Sequence, residues 1–95
     1  MKNLSSLYET LPVGVSMQMH GRYGYLYYKN EMGFVELYIE LSGVSQYQFL
    51  VWFQDITKWT FPPNKSISTQ EKEYIKGSII YFLEREGISS NIYQQ

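Results

Sequence analysis

The side chains of this sequence that could perform acid–base chemistry are one histidine and a few carboxylates. His20 is the only histidine, and a general base would need a nucleophile and an orienting group that its neighbours do not supply. Glu36 and Glu40 lie about 13 Å apart along a strand, which exceeds the usual separation of paired glycosidase carboxylates. An enzyme would require Glu36, Glu40 or Asp55 to converge with His20. We therefore expect no enzymatic activity and no catalytic residues.

Metal and cofactor chemistry is not indicated either. The chain has no cysteine and a single histidine, so a thiolate zinc site or a disulfide cannot form. Its glycines occur singly at turns, without a dinucleotide fingerprint or a phosphate loop. We expect no metal-binding or cofactor-binding residues. The lack of cysteine fits a protein of the reducing cytoplasm. A membrane-spanning helix needs about 18 consecutive apolar residues, and no segment of the sequence reaches that length.

Charge and aromatic content narrow the class of partner. The formal net charge is −1, and no cluster of lysine and arginine is present to contact a phosphate backbone, so nucleic acid is disfavoured. The chain carries 10 tyrosines, and aromatic residues make up 18% of it. Tyrosine favours strands and also favours protein interfaces, because its ring is rigid and apolar while its hydroxyl tolerates water. The composition therefore points to a protein partner.

The elements that position these side chains follow from hydrophobic periodicity. The 95 residues suit one domain, 1–95, with one core. Leu4, Leu7, Tyr8 and Leu11 recur at helical spacing and predict a short helix over 3–11. Period-two alternation then predicts an antiparallel sheet over 13–54, with four strands joined as a meander.

The second half predicts a linker, a helix and a tail. Two prolines stiffen a linker over 58–67, whose Trp59 and Phe61 we expect to plug the end of the core. Ser68-Thr69-Gln70-Glu71 has the pattern of a capping box and opens a helix over 68–87. The tail, 88–95, is mostly polar and is expected to fray. The predicted fold class is α+β, with the C-terminal helix on one sheet face.

A single helix covers only one face of such a sheet, so the other face is open to a partner. If Val35, Leu37, Ile39 and Leu41 face the helix, the alternate residues face outward. We predict a partner-binding surface made of Tyr23, Tyr25, Tyr27, Phe34, Glu36, Tyr38, Glu40 and Trp52. Aromatic residues of this kind dominate interface hot spots, and the two glutamates suit a basic partner.

Other roles for the same face remain open. The tyrosines could stabilise the sheet as cross-strand pairs, or the N-terminal helix could fold over them. The face could bury itself in a homodimer, which would make the chain a structural or adaptor module. It could also stack single-stranded RNA, although Glu36 and Glu40 would repel phosphate.

The second half of the chain resembles the small immunity proteins that accompany bacterial polymorphic or contact-dependent toxins. The resemblance covers about 49–87 and lies in Trp59-Thr60-Phe61-Pro62-Pro63 followed by a Ser/Thr-capped helix. The helical residues that match are Ile67-Ser68-Thr69-Gln70-Glu71-Lys72, Ile75, Ile79 and Leu83. An extra proline and the tyrosine-rich sheet depart from the pattern. The resemblance implies a cytoplasmic inhibitor that binds a cognate toxin domain and blocks it sterically, without catalytic residues.

Overall fold

The fold is α+β and is built on one mixed sheet of five strands, as seen in a computed structural model that describes residues 3–95. Met1 and Lys2, which belong to the predicted domain, lie outside the described residues. The elements are α1 Leu4–Thr10, β1 Gly14–His20, β2 Tyr23–Asn30, β3 Gly33–Val44, β4 Tyr47–Val51, α2 Thr69–Arg85 and β5 Ile92–Gln94. The strands lie in the order β1-β2-β3-β4-β5. The first four form the predicted antiparallel meander, and β5 joins β4 in parallel.

The C-terminal helix covers one sheet face, as predicted. Its apolar stripe of Ile75, Ile79 and Leu83 is buried against the inward-facing residues of the sheet. Full burial of each such side chain is worth roughly 1.5–3 kcal/mol relative to exposure, so this stripe fixes the helix on the sheet. The predicted capping box is present: the Glu71 amide donates to Ser68 Oγ at 3.1 Å, and the Ser68 amide donates to the Glu71 carboxylate at 2.9 Å.

Trp59 of the linker before α2 closes the end of the core, as expected. Phe61, for which the same was expected, instead packs against a second cluster on the opposite sheet face, formed by Leu11, Tyr27 and Phe34. Trp59 is buried in the same cluster as α2. The next residues run beside β3, where the Phe34 amide donates to the Phe61 carbonyl at 2.9 Å and the Thr60 amide donates to the Phe34 carbonyl at 3.0 Å. Gly33 makes this approach possible, because a Cβ there would lie 1.9 Å from the Phe61 carbonyl oxygen.

Two predictions about the strands are wrong. The tail does not fray: β5 pairs with β4, with Ile92 opposite Phe49 and Gln94 opposite Val51. Ile88 and Ile92 are buried and anchor the tail to the core. The other residues of the tail are mostly polar, so composition alone did not indicate this burial. The antiparallel meander, predicted to extend to residue 54, also ends earlier, because the chain leaves β4 at Val51 and forms a 3-10 helix over Phe53–Asp55. Within residues 3–95, no helix is long and apolar enough to cross a membrane.

Candidate protein-binding surface

Strand register brings the predicted surface residues together on the sheet face opposite α2. Across β2 and β3, Tyr23 pairs with Glu40, Tyr25 with Tyr38, and Tyr27 with Glu36. Side chains on directly opposed residues of neighbouring strands project to the same face. The alternation that buries Leu26, Leu37 and Ile39 under α2 therefore places these three pairs on the other face.

The N-terminal helix covers one end of this face, which corrects part of the predicted surface. Phe34 is 0% exposed and Tyr27 is 4% exposed. They form a second core cluster with Leu11, against which Leu4, Leu7, Tyr8, Phe61 and the partly buried Tyr25 pack, so Tyr25 lies at the boundary of the covered end. The prediction that Phe34 and Tyr27 lie on an open face is therefore wrong. The helical spacing of the apolar residues in α1 was visible in the sequence, but the place where α1 docks was not.

The other end of the face is not covered by α1, and we call it the uncovered half. It consists of His20, Tyr23, Tyr25, Tyr38, Glu40 and Trp52. Tyr23 is 43% exposed and Tyr38 is 41% exposed. Glu36, which pairs with buried Tyr27, lies at its boundary. Five of the eight predicted contact residues thus belong to the uncovered half, and Glu36 adjoins it.

The rings of the uncovered half form a continuous network. Tyr38 stacks between Tyr23 and Trp52, with ring centroids 6.1 and 6.0 Å away. Tyr25 meets Tyr38 edge to face at 5.9 Å. His20 joins from β1, 5.7 Å from the Tyr23 ring. The sequence interpretation left His20 out because its membership depends on the pairing of β1 with β2, in which His20 lies opposite Tyr23.

Two carboxylates, those of Glu36 and Glu40, carry negative charge at or beside this surface. The Tyr38 hydroxyl donates to the Glu40 carboxylate at 2.9 Å, and this hydrogen bond is the main cause of a raised pKa for Tyr38. Burial raises the pKa of Tyr27, and the charge and hydrogen bond of Glu36 raise it further. Tyr38 therefore keeps Glu40 oriented on the surface. The combination of flat aromatic area and fixed negative charge suits a partner that presents lysine or arginine.

The geometry does not bring the candidate acid–base residues together. Tyr23 lies between His20 on β1 and Glu40 on β3, so the two are separated by two strand spacings, or roughly 10 Å. Two cavities among the described residues, of about 960 and 280 Å³, lie beside α2, and neither is lined by His20, Glu36, Glu40 or Asp55. No group of three or more potential metal ligands occurs within residues 3–95.

Comparison of the chain with family models, with curated proteins and with solved structures finds no match. The resemblance to immunity proteins therefore stays a prediction.

Proposed function

We propose that this chain is a protein-binding inhibitor that docks through the uncovered half of its sheet. In keeping with the immunity-protein resemblance, the partner we propose is a cognate toxin domain, bound in the cytoplasm and blocked sterically. The observation that carries the proposal is the aromatic network of the uncovered half, in which Tyr38 is stacked between Tyr23 and Trp52 and stays 41% exposed.

The network is suited to binding because it is preorganised. Tyr23, Tyr25 and Tyr38 each contact at least three other rings, so little of their side-chain entropy remains to be lost when a partner docks. Tyrosine and tryptophan are also the residues that most often contribute large shares of binding energy. The uncovered half therefore provides a rigid hot-spot cluster, with Glu36 and Glu40 available to orient a basic partner.

The direct test uses a toxin domain, which we expect to be encoded beside this gene. We expect it to co-purify with the chain, and we expect the double variant Tyr25→Ala/Trp52→Ala to weaken binding by at least about 30-fold, the equivalent of 2 kcal/mol for a hot-spot loss. Isothermal titration calorimetry measures this change. Tyr81→Ala is the matched control, because Tyr81 is 63% exposed but lies on α2, across the sheet.

Unchanged affinity in the double variant, or an equal loss in the control, would show that the partner docks elsewhere. A chain that self-associates in the absence of any partner, with the dimer lost in Tyr25→Ala/Trp52→Ala, would favour the homodimeric adaptor instead.

A further inference from the structure

The two edges of the sheet differ in how they are protected. The β5 edge is short, with only three residues in the strand. The β1 edge has seven residues, Gly14–His20, which pair with β2 in continuous register and without a bulge. Natural edge strands are usually blunted by a charged residue, a proline or a bulge, because an open edge is a template for another strand. Gly14–His20 contains no proline, lysine, arginine, aspartate or glutamate.

The backbone groups that β1 turns outward can be assigned from its hairpin. The two-residue turn Gly21–Arg22 closes on His20 and Tyr23, and the residues that flank such a turn form a hydrogen-bonded pair. The even-numbered residues of β1 therefore bond to β2. The amides and carbonyls of Val15, Met17 and Met19 point away from the sheet, and among residues 3–95 they meet no backbone partner.

The outward groups of β1 are self-complementary. If a second copy of the strand runs antiparallel with Met17 opposite Met17, then Val15 lies opposite Met19. All three outward-facing residues then fall in hydrogen-bonded pairs. No like charges meet, because the strand carries no charged residue. We propose that a second copy of this chain pairs with the β1 edge in this register and joins two five-stranded sheets into one.

The side chains support the same register. Ser16 lies opposite Gln18 of the second copy, and Ser16 Oγ is buried without a hydrogen-bond partner among the described residues. We expect the Ser16 hydroxyl to turn toward that Gln18 amide in the dimer. A buried polar atom gains stability when it acquires such a partner.

A groove beside β1 lies next to the turn of the second copy in the proposed register. Val13, which is 79% exposed, lies at the mouth of the groove of about 960 Å³ that α2 forms with the start of β1. In the proposed register, Gly21 of the second copy lies opposite Val13 and is followed by Arg22. The charged residues that line the groove are one acid, Glu73, and two bases, Lys29 and Arg85. The groove therefore gives Arg22 no net electrostatic attraction, and the proposed register rests on the backbone groups of β1 and on Ser16.

The dimer goes beyond the proposed binding function and is compatible with it. A two-fold axis perpendicular to the sheet relates the two strands, so both copies keep their aromatic faces on the same side. The two uncovered halves therefore form one bivalent surface, which raises avidity for a partner that can contact both.

Disulfide cross-linking tests the register, because the chain has no cysteine of its own. In a non-hydrogen-bonded pair the Cα atoms are about 4.5 Å apart, within the range for a disulfide. We expect a mixture of Ser16→Cys and Gln18→Cys chains to form a cross-linked dimer under oxidised glutathione. Either variant alone places its cysteines diagonally, about 7–8 Å apart, and is expected to cross-link at least tenfold less. Gln94→Cys on the β5 edge is the control.

Sedimentation velocity tests the dimer itself. We expect twice the 11.3 kDa monomer mass at micromolar concentration. Met17→Pro, which removes one outward amide, should restore the monomer, while Tyr25→Ala/Trp52→Ala should leave the dimer intact. A wild-type monomer at 200 µM would overturn the proposal, as would a dimer in which the Ser16→Cys and Gln18→Cys mixture cross-links no better than the controls.

Discussion

The ring of Tyr8 stacks on Phe34, with centroids 6.4 Å apart and planes 19° apart. Tyr8 also donates its hydroxyl proton to the Asn30 carbonyl at 2.9 Å, and the Lys29 ammonium lies 4.4 Å above the Tyr8 ring. The same ammonium donates to the Leu11 carbonyl, at the end of α1. These contacts tie a helix of seven residues to one end of the sheet face and set the boundary of the uncovered half.

Removal of the Phe34 ring should destabilise the fold strongly. We expect Phe34→Ala to lower the free energy of unfolding by about 3–5 kcal/mol, because it leaves a cavity beneath α1. Tyr38→Ala, on the exposed part of the same strand, should cost about 1–2 kcal/mol, because it loses cross-strand ring contacts but leaves no buried cavity. Urea denaturation followed by circular dichroism measures both. Similar losses in the two variants would contradict the assignment of covered and uncovered ends.

Gly33 and Gly77 should respond to alanine in opposite directions. Gly33 has φ +152°, and an added Cβ would meet the Phe61 carbonyl oxygen, so we expect Gly33→Ala to cost at least about 2 kcal/mol. Gly77 lies within α2 and has open space for a Cβ, so Gly77→Ala should gain about 0.5–1 kcal/mol. Thermal unfolding of both variants checks the pair. A tolerated Gly33→Ala would mean that the linker does not run against β3.

Stability should fall at alkaline pH because of the buried tyrosines. Burial raises the pKa of Tyr27, with a further contribution from Glu36, and burial is also the main cause of the raised pKa of Tyr28. Above pH 10 the unfolded chain loses these phenolic protons while the folded chain retains them. The contribution of these two tyrosines to the free energy of unfolding is therefore complete below about pH 10. It declines as the pH rises toward their pKa in the folded chain.

Urea denaturation between pH 8 and pH 11.5 measures this slope. Tyr27→Phe keeps the ring and removes the titrating group, so its stability should fall less steeply above pH 10, by up to about 1.4 kcal/mol per pH unit. Parallel curves for the wild type and the variant would contradict the burial of the Tyr27 hydroxyl.

The sequence predicts most of the fold because its local signals agree with the tertiary structure. The alternation in β3, the stripe of Ile75, Ile79 and Leu83, and the Ser68–Glu71 capping box each follow from neighbouring residues. The location of α1 and the pairing of β5 with β4 do not, because both depend on contacts between distant segments. Ile92 has no periodic partners in its short strand, so only its burial beside Phe49 reveals the fifth strand.

The sequence predicted only part of the candidate site, because local alternation identifies a sheet face but not the distant segment that packs on it. Register places Tyr23, Tyr25 and Tyr38 on one face, and alternation alone finds them. Phe34 follows the same alternation yet lies under Tyr8, since a strand pattern defines a face and does not show what covers it. His20 belongs to the aromatic network of the uncovered half because it lies opposite Tyr23 across the β1–β2 hairpin.

The most direct test of the binding surface is hydroxyl-radical footprinting of the chain with and without the proposed toxin domain, read by mass spectrometry. Tyr23, Tyr38 and Trp52 should be protected severalfold in the complex, whereas Tyr74 and Tyr81, both exposed on α2, should keep their reactivity. These two residues serve as controls within the same molecule. Protection of Tyr74 and Tyr81 with no protection of Tyr23, Tyr38 and Trp52 would contradict the proposed surface.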